Sequence, residues 1–197
     1  SVNGSSVTAT TSTAPTGIAT VTIASFITDN FAGKTSTFNV PRSITTFTVA
    51  EDVNSGSELG VGYATASSLK TFTAGAIDGS VLTSRSISAL NVIGKSPKVP
   101  TAGVLRAEVV NSVITTIGNI GGVGLGAVAI AQKVIGSDFN VAAGNVTSFT
   151  VGGMFGSHLT VGAHPAARGN ILATATASNW NGPPNSPGVT FKLSSFK

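Results

Sequence analysis

The chain has 197 residues and a mass of 19.5 kDa, which is one domain or a stretch of a longer array and is ample length to bury a core. Only 9% of the residues are charged, against roughly a quarter in an ordinary globular domain, while 41% are hydrophobic and mean hydropathy is +0.36. Those values exclude disorder, which goes with low hydrophobicity and usually high charge. The net charge of +4 comes from 11 scattered Lys and Arg without a basic stripe or interleaved aromatics, so no nucleic-acid partner is expected.

Twenty-four Ser, 26 Thr and 24 Gly replace the Glu, Lys, Arg, Leu and Gln that helix faces need, and only three Glu and one Gln are present. An all-β fold follows. The absence of cysteine excludes disulfides, thiolate metal sites and a Cys nucleophile. The longest apolar stretch, around Ile120 to Ala131, has 12 residues and four glycines, too short for the roughly 30 Å of a bilayer, so no membrane span is expected. The chain opens at Ser1 with no basic and apolar leader, and any export signal is expected to be absent or already removed.

In chain order, residues 1–17 are Ser/Thr-rich and read as a linker or an N-terminal cap. From Ile18 onward a six-residue word, apolar-x-x-apolar-x-apolar, recurs as IATVTI, ITTFTV, LKTFTA, ISALNV, LGAVAI and VTSFTV, opening at Ile18, Ile44, Leu69, Ile87, Leu125 and Val146. Its fourth position forms the column Val21, Phe47, Phe72, Leu90, Val128, Phe149, and its sixth the column Ile23, Val49, Ala74, Val92, Ile130, Val151. A second word follows each first: a Ser (Ser36, Ser57, Ser80, Ser112, Ser137, Ser157), then an apolar residue two places on (Phe38, Leu59, Leu82, Ile114, Phe139, Leu159). Gly precedes the Ser in four of the six units, as expected where a turn needs positive φ.

First words lie 26, 25, 18, 38 and 21 residues apart, a period suited to one coil of a solenoid. No coil buries its own apolar side chains. Stacking like on like at about 4.8 Å does so, and it also pairs every strand. The expected fold is therefore a right-handed parallel β-solenoid (β-helix) of six or seven irregular coils over residues 18–162, with a β-sandwich as the alternative. Residues 163–197 are expected to form a rim loop and a final coil, and Leu193 to Lys197 resembles the opening of a further first word. The stretch Ile93 to Glu108, with Lys95, Lys98, Arg106 and two prolines, interrupts the fourth unit and puts its stacking in doubt.

The words VTSFTVGGMFGSHLTVG (Val146 to Gly162) and GSDFNVAAGNVTSFTV (Gly136 to Val151), with the terminal LSSFK, resemble repeats of very large, low-charge secreted proteins of bacteria such as planctomycetes. The resemblance spans roughly residues 18 to 162 and rests on word pattern and composition. It implies an exported β-solenoid belonging to an extracellular or cell-surface protein, and it carries no catalytic motif.

Chemistry-bearing residues are few. Asp52 and Asp78 fall in equivalent turns, where stacking would bring them together either as a weak Ca²⁺ site or as solvated turn acids. Asp138 and His158 follow the Ser of adjacent coils and should be neighbours at about 5 Å, as a surface ion pair or, with the repeated Ser, as a triad. The outward ranks Thr20-x-Thr22, Thr46-x-Thr48 and Thr71-x-Thr73 resemble the surface of β-helical ice-binding proteins, although Thr is also the ordinary outward β-former. Trp180, flanked by Asn179 and Asn181, suits either stacking on a sugar ring or plugging the end of the stack. The expected function is a non-catalytic structural or adhesive module, with carbohydrate or ice binding as the alternative and a polysaccharide-active enzyme the remaining reading. The expected partners are polysaccharide or neighbouring copies of the same protein.

Overall fold

The computed structural model describes residues 2–3, 6–8, 17–27, 36–53, 56–94, 106–162, 175–177 and 189–193. The chain begins with β1 (Val2–Asn3), β2 (Ser6–Thr8), β3 (Ile18–Ile23), β4 (Phe26–Ile27) and β5 (Thr37–Val40). It continues with β6 (Ile44–Val53), β7 (Glu58–Val61), β8 (Leu69–Asp78), β9 (Val81–Ser84), β10 (Ile87–Val92), β11 (Val109–Val110) and β12 (Val113–Thr116). The remaining strands are β13 (Val123–Ile135), β14 (Asp138–Val141), β15 (Asn145–Phe155), β16 (Ser157–Val161), β17 (Ala175–Ala177) and β18 (Val189–Leu193).

These strands form two sheets. The first runs β1-β4-β6-β8-β10-β13-β15-β17, with β3 also on β6 and β11 between β8 and β13; the second runs β2-β5-β7-β9-β12-β14-β16-β18. Every ladder among the named strands is parallel. Neighbours in each sheet come from successive coils, so the fold is a parallel β-solenoid. The β-sandwich alternative is ruled out, because its sheets are built from antiparallel neighbours.

The columns seen in the sequence become vertical files. Val21 pairs with Phe47, Phe47 with Phe72, Phe72 with Leu90, Leu90 with Val128, and Val128 with Phe149. The Phe47 and Phe72 rings meet edge to face with centroids 5.4 Å apart. In the second sheet Phe38, Leu59, Leu82, Ile114, Phe139 and Leu159 stack in the same way. The two inner faces close on one another through ring pairs such as Phe38 with Phe47 (4.8 Å) and Phe139 with Phe149 (5.0 Å). Each such buried side chain stabilises the stack by about 1.5–3 kcal/mol relative to exposure. No single coil encloses its own core.

From Ser80 to Ser157 the corners before the second words are joined by hydrogen bonds that rise through the stack. Gly56, Gly79, Gly136 and Gly156 have positive φ, and Asn111, with φ 45°, takes the same place in the fourth coil. Asn tolerates this left-handed conformation better than other residues with side chains. The Ser that follows is buried in every coil from Ser36 to Ser157. The Ser80 N–H donates to Ser112 Oγ (3.1 Å), Ser112 N–H to Ser137 Oγ (3.0 Å) and Ser137 N–H to Ser157 Oγ (3.0 Å). Each of these hydroxyls donates in turn to the carbonyl two residues before it, as Ser137 does to Ile135 (2.9 Å) and Ser157 to Phe155 (2.9 Å). From Ser80 to Ser157 the Ser is thus an internal hydrogen-bond ladder as well as a turn residue, whereas the buried Ser57 hydroxyl has no partner. Val189 pairs with Ser157 and ends the file.

A second corner divides the first sheet. Two residues, Ala50 and Glu51, separate Val49 from Asp52, whereas Gly75 alone separates Ala74 from Ala76 in the next coil. The extra residue is a bulge. It places the Glu51 carbonyl where a Cβ on Gly75 would sit. The same pairing of bulge and glycine recurs between Gln132 and Gly152.

One expectation changes. Residues 93–108 do not interrupt the stack: β10 and β11 each pair with both β8 and β13, so the excursion leaves after Gly94 and rejoins with Val109 between Ile77 and Val134. Within 163–197, Ala175–Ala177 continues the first-word file and Val189–Leu193 the second-word file, so Leu193 falls in a second word, paired with Val161. Ahead of the six words, β1 pairs with β4 and β2 with β5.

Candidate binding faces

Alternation along each strand decides what reaches solvent. On the first sheet the outward ranks run Thr20, Thr46, Thr71, Ala89, Ala127, Ser148 and Thr22, Thr48, Thr73, Asn91, Ala129, Thr150. Thr46, Thr48, Thr71 and Thr73 therefore form a two-by-two hydroxyl patch on adjacent coils, each half-buried among its neighbours. The ranks lose their Thr at Ala89 and Asn91.

On the second sheet the outward columns are Thr37, Glu58, Val81, Val113, Asp138, His158 and Asn39, Gly60, Thr83, Thr115, Asn140, Thr160. Gly60 leaves a gap in the second column. Beside it, Tyr63 folds back from the corner after β7, and its hydroxyl donates to Asn39 Oδ1 at 2.7 Å. The result is a shallow depression of about 480 Å³ whose lining includes Thr37, Glu58, Gly60, Tyr63, Val81 and Thr83. It is formed by threonine and tyrosine hydroxyls, the Asn39 amide, the Glu58 carboxylate, the aromatic residues Tyr63 and Phe38 and the aliphatic Leu59 and Val81, and no Lys or Arg lines it. The sequence reading passed over Tyr63 in favour of Trp180. The available signal was a glycine at an outward strand position three residues before the only tyrosine.

His158 and Asp138 meet as the stacking required, with Nδ1 to Oδ1 at 2.7 Å and about half of each side chain exposed. No triad results. Ser137 and Ser157 are fully buried, and their hydroxyls are held by the backbone carbonyls of Ile135 and Phe155.

Asp52 pairs in register with Ala76, two residues before Asp78. Burial pushes the Asp52 carboxyl above its ordinary value; its own backbone hydrogen bond opposes this, and the charges of Glu51 and Asp78 add to the rise. Among the described residues no group of three or more His, Cys, Asp or Glu is arranged to hold a metal ion. Asp52 and Asp78 fall well short of the six to eight oxygens that Ca²⁺ takes. Trp180, Asn179, Asn181 and His164 lie outside the described residues.

The fold and its outward faces define a parallel β-solenoid with small, mostly uncharged side chains on both sheets. No protein-family model, no curated protein and no solved structure matches the chain.

Proposed function

We propose that the chain is a non-catalytic structural or adhesive module of an exported cell-surface protein. The observation that supports this is the chemistry of the outward columns, which carry Thr, Asn, Ser, Ala and Val coil after coil, with a paired Asp138–His158, Glu58 and, in the last strand, Lys192 as the ionisable residues in the described strands of the second sheet. Such a surface resists nonspecific ionic contacts and offers repeated hydroxyls and amides to a polymer or to a second copy. The resemblance to low-charge secreted repeat proteins points the same way. Purified chain incubated with cell-envelope fragments and insoluble polysaccharides should be retained while releasing no reducing or unsaturated sugar ends. Turnover of any of these polymers would overturn the proposal.

The aligned Thr patch supports a second reading, ice binding, since stacked strands repeat about every 4.8 Å and alternate residues about every 6.8 Å. Thermal hysteresis that disappears in Thr48→Leu would support it. Hysteresis absent from the wild-type chain would remove it.

A further inference from the structure

We infer that the depression around Gly60 and Tyr63 is a binding subsite for a neutral glycan; this deepens the adhesive reading above and rests on it. The first observation is that neither a positive φ nor a neighbouring backbone atom requires Gly60 to be glycine; the side chain it lacks leaves room for the Tyr63 ring to lie over the strand. Gly62 and Gly79 need positive φ, and Gly75 needs room for the Glu51 carbonyl, whereas Gly60 sits in β7 with no positive φ. A Cβ built on it would meet Asn39 Oδ1 and Tyr63 Cε1 at 3.4 Å, with no backbone atom among its nearest neighbours. Glycine within a strand weakens it and often marks a place that a ligand approaches closely. Thr83, in the same column one coil on, shows that the register accepts a side chain.

The second observation is the lining. Tyr63 is oriented by its hydrogen bond to Asn39, and Val81, 41% exposed, adds an apolar surface across the gap. Sugar rings present an apolar C–H face and a rim of hydroxyls; an aromatic ring beside hydroxyl, amide and carboxylate groups matches both. With Glu58 the one ionisable side chain besides Tyr63 and no cation in the lining, phosphate, sulfate and nucleic acid are disfavoured. A peptide added as an extra strand is excluded, because β7 is already paired on both edges by β5 and β9. The volume falls within the range of small-ligand sites, near the low end, as suits a few units of an extended chain.

The test is affinity electrophoresis and calorimetry of the whole chain against neutral β-glucan, mannan, xylan and chitin oligosaccharides, with a sulfated and a uronate-rich polymer as charged probes. At least one neutral glycan should bind. Tyr63→Ala should weaken it about tenfold or more, and Gly60→Thr, whose side chain fills the gap and displaces the Tyr63 ring, should do the same while circular dichroism shows the chain still folded. Tyr63→Phe, which keeps the ring and loses the Asn39 bond, should weaken it by only about threefold. No neutral-glycan binding, binding untouched by Gly60→Thr and Tyr63→Ala, or preference for the charged probes would overturn the inference. If the two variants still adhere to cell-envelope fragments as wild type does, the subsite fails and the adhesive reading stands.

Discussion

Removing one rung of the serine ladder tests the corner directly. In Ser137→Ala the Ser112 N–H loses its acceptor at 3.0 Å, and the Ile135 carbonyl loses a donor at 2.9 Å. Both Ser112 and Ser137 are at most 1% exposed, so water does not replace the lost partner without local opening. A buried donor left unpaired costs about 1–3 kcal/mol and a lost neutral hydrogen bond about 1 kcal/mol, so the expected loss is about 2–3 kcal/mol. With a urea slope of roughly 2 kcal/mol per molar, the unfolding midpoint should fall by about 1 M. The Ser112 amide should also lose hydrogen-exchange protection more than its neighbours do. Asn140→Ala, an outward substitution on the same coil, should cost no more than about 0.5 kcal/mol. If Ser137→Ala is as mild as Asn140→Ala and the Ser112 amide stays protected, the ladder contributes nothing and the reasoning fails.

Other substitutions probe separate features. Thr116 sits in a buried file between Ser84 and Val141, and its hydroxyl has no hydrogen-bond partner; Thr116→Val should stabilise the chain by about 1 kcal/mol in the same urea titration. Gly75→Ala forces a Cβ against the Glu51 carbonyl and should cost about 2–3 kcal/mol, whereas Ala50→Gly in the facing bulge should cost under about 1 kcal/mol. Asp52 binds its proton more tightly folded than unfolded, so its favourable contribution is present below the ordinary value of 3.8 and is lost as pH rises through the elevated folded value. Asp52→Asn, which stays neutral, should therefore raise the melting temperature at pH 7, with the gain shrinking as pH falls toward 3; a gain independent of pH would contradict this origin.

How much of this was legible in the sequence depended on side-chain size. Phe47, Phe72 and Phe149 announced one file and Phe38, Phe139 and Leu159 another, because large apolar residues at fixed offsets survive variation in loop length. The words of the last coil could not be placed in advance, because Ala175 and Ala177 stand where other coils carry Phe and Val and Val189 stands in place of the Ser that marked the other six. Asn111 was missed for a similar reason: the turn demands a left-handed backbone, and only the residue type, not the conformation, differs from glycine. The role of the repeated Ser required the register, since its partner lies a full coil away at positions as distant as Ser80 and Ser112. The His158–Asp138 contact, by contrast, followed from register alone and is present. Tyr63 stood in no repeated column, and the gap it borders became visible only once Gly60 was placed between Asn39 and Thr83.

Spin-label distances along one outward rank test the stacking most directly, and the absence of native cysteine leaves a clean background. Thr22, Thr48, Thr73, Asn91, Ala129 and Thr150 succeed one another in register. Cysteine pairs joining position 22 to 91, 129 and 150 should give backbone separations near 14, 19 and 24 Å, rising by about 4.8 Å per coil. Distances that fail to increase in that order, or that jump between positions 91 and 129 where the excursion enters the fourth coil, would contradict a continuous parallel solenoid.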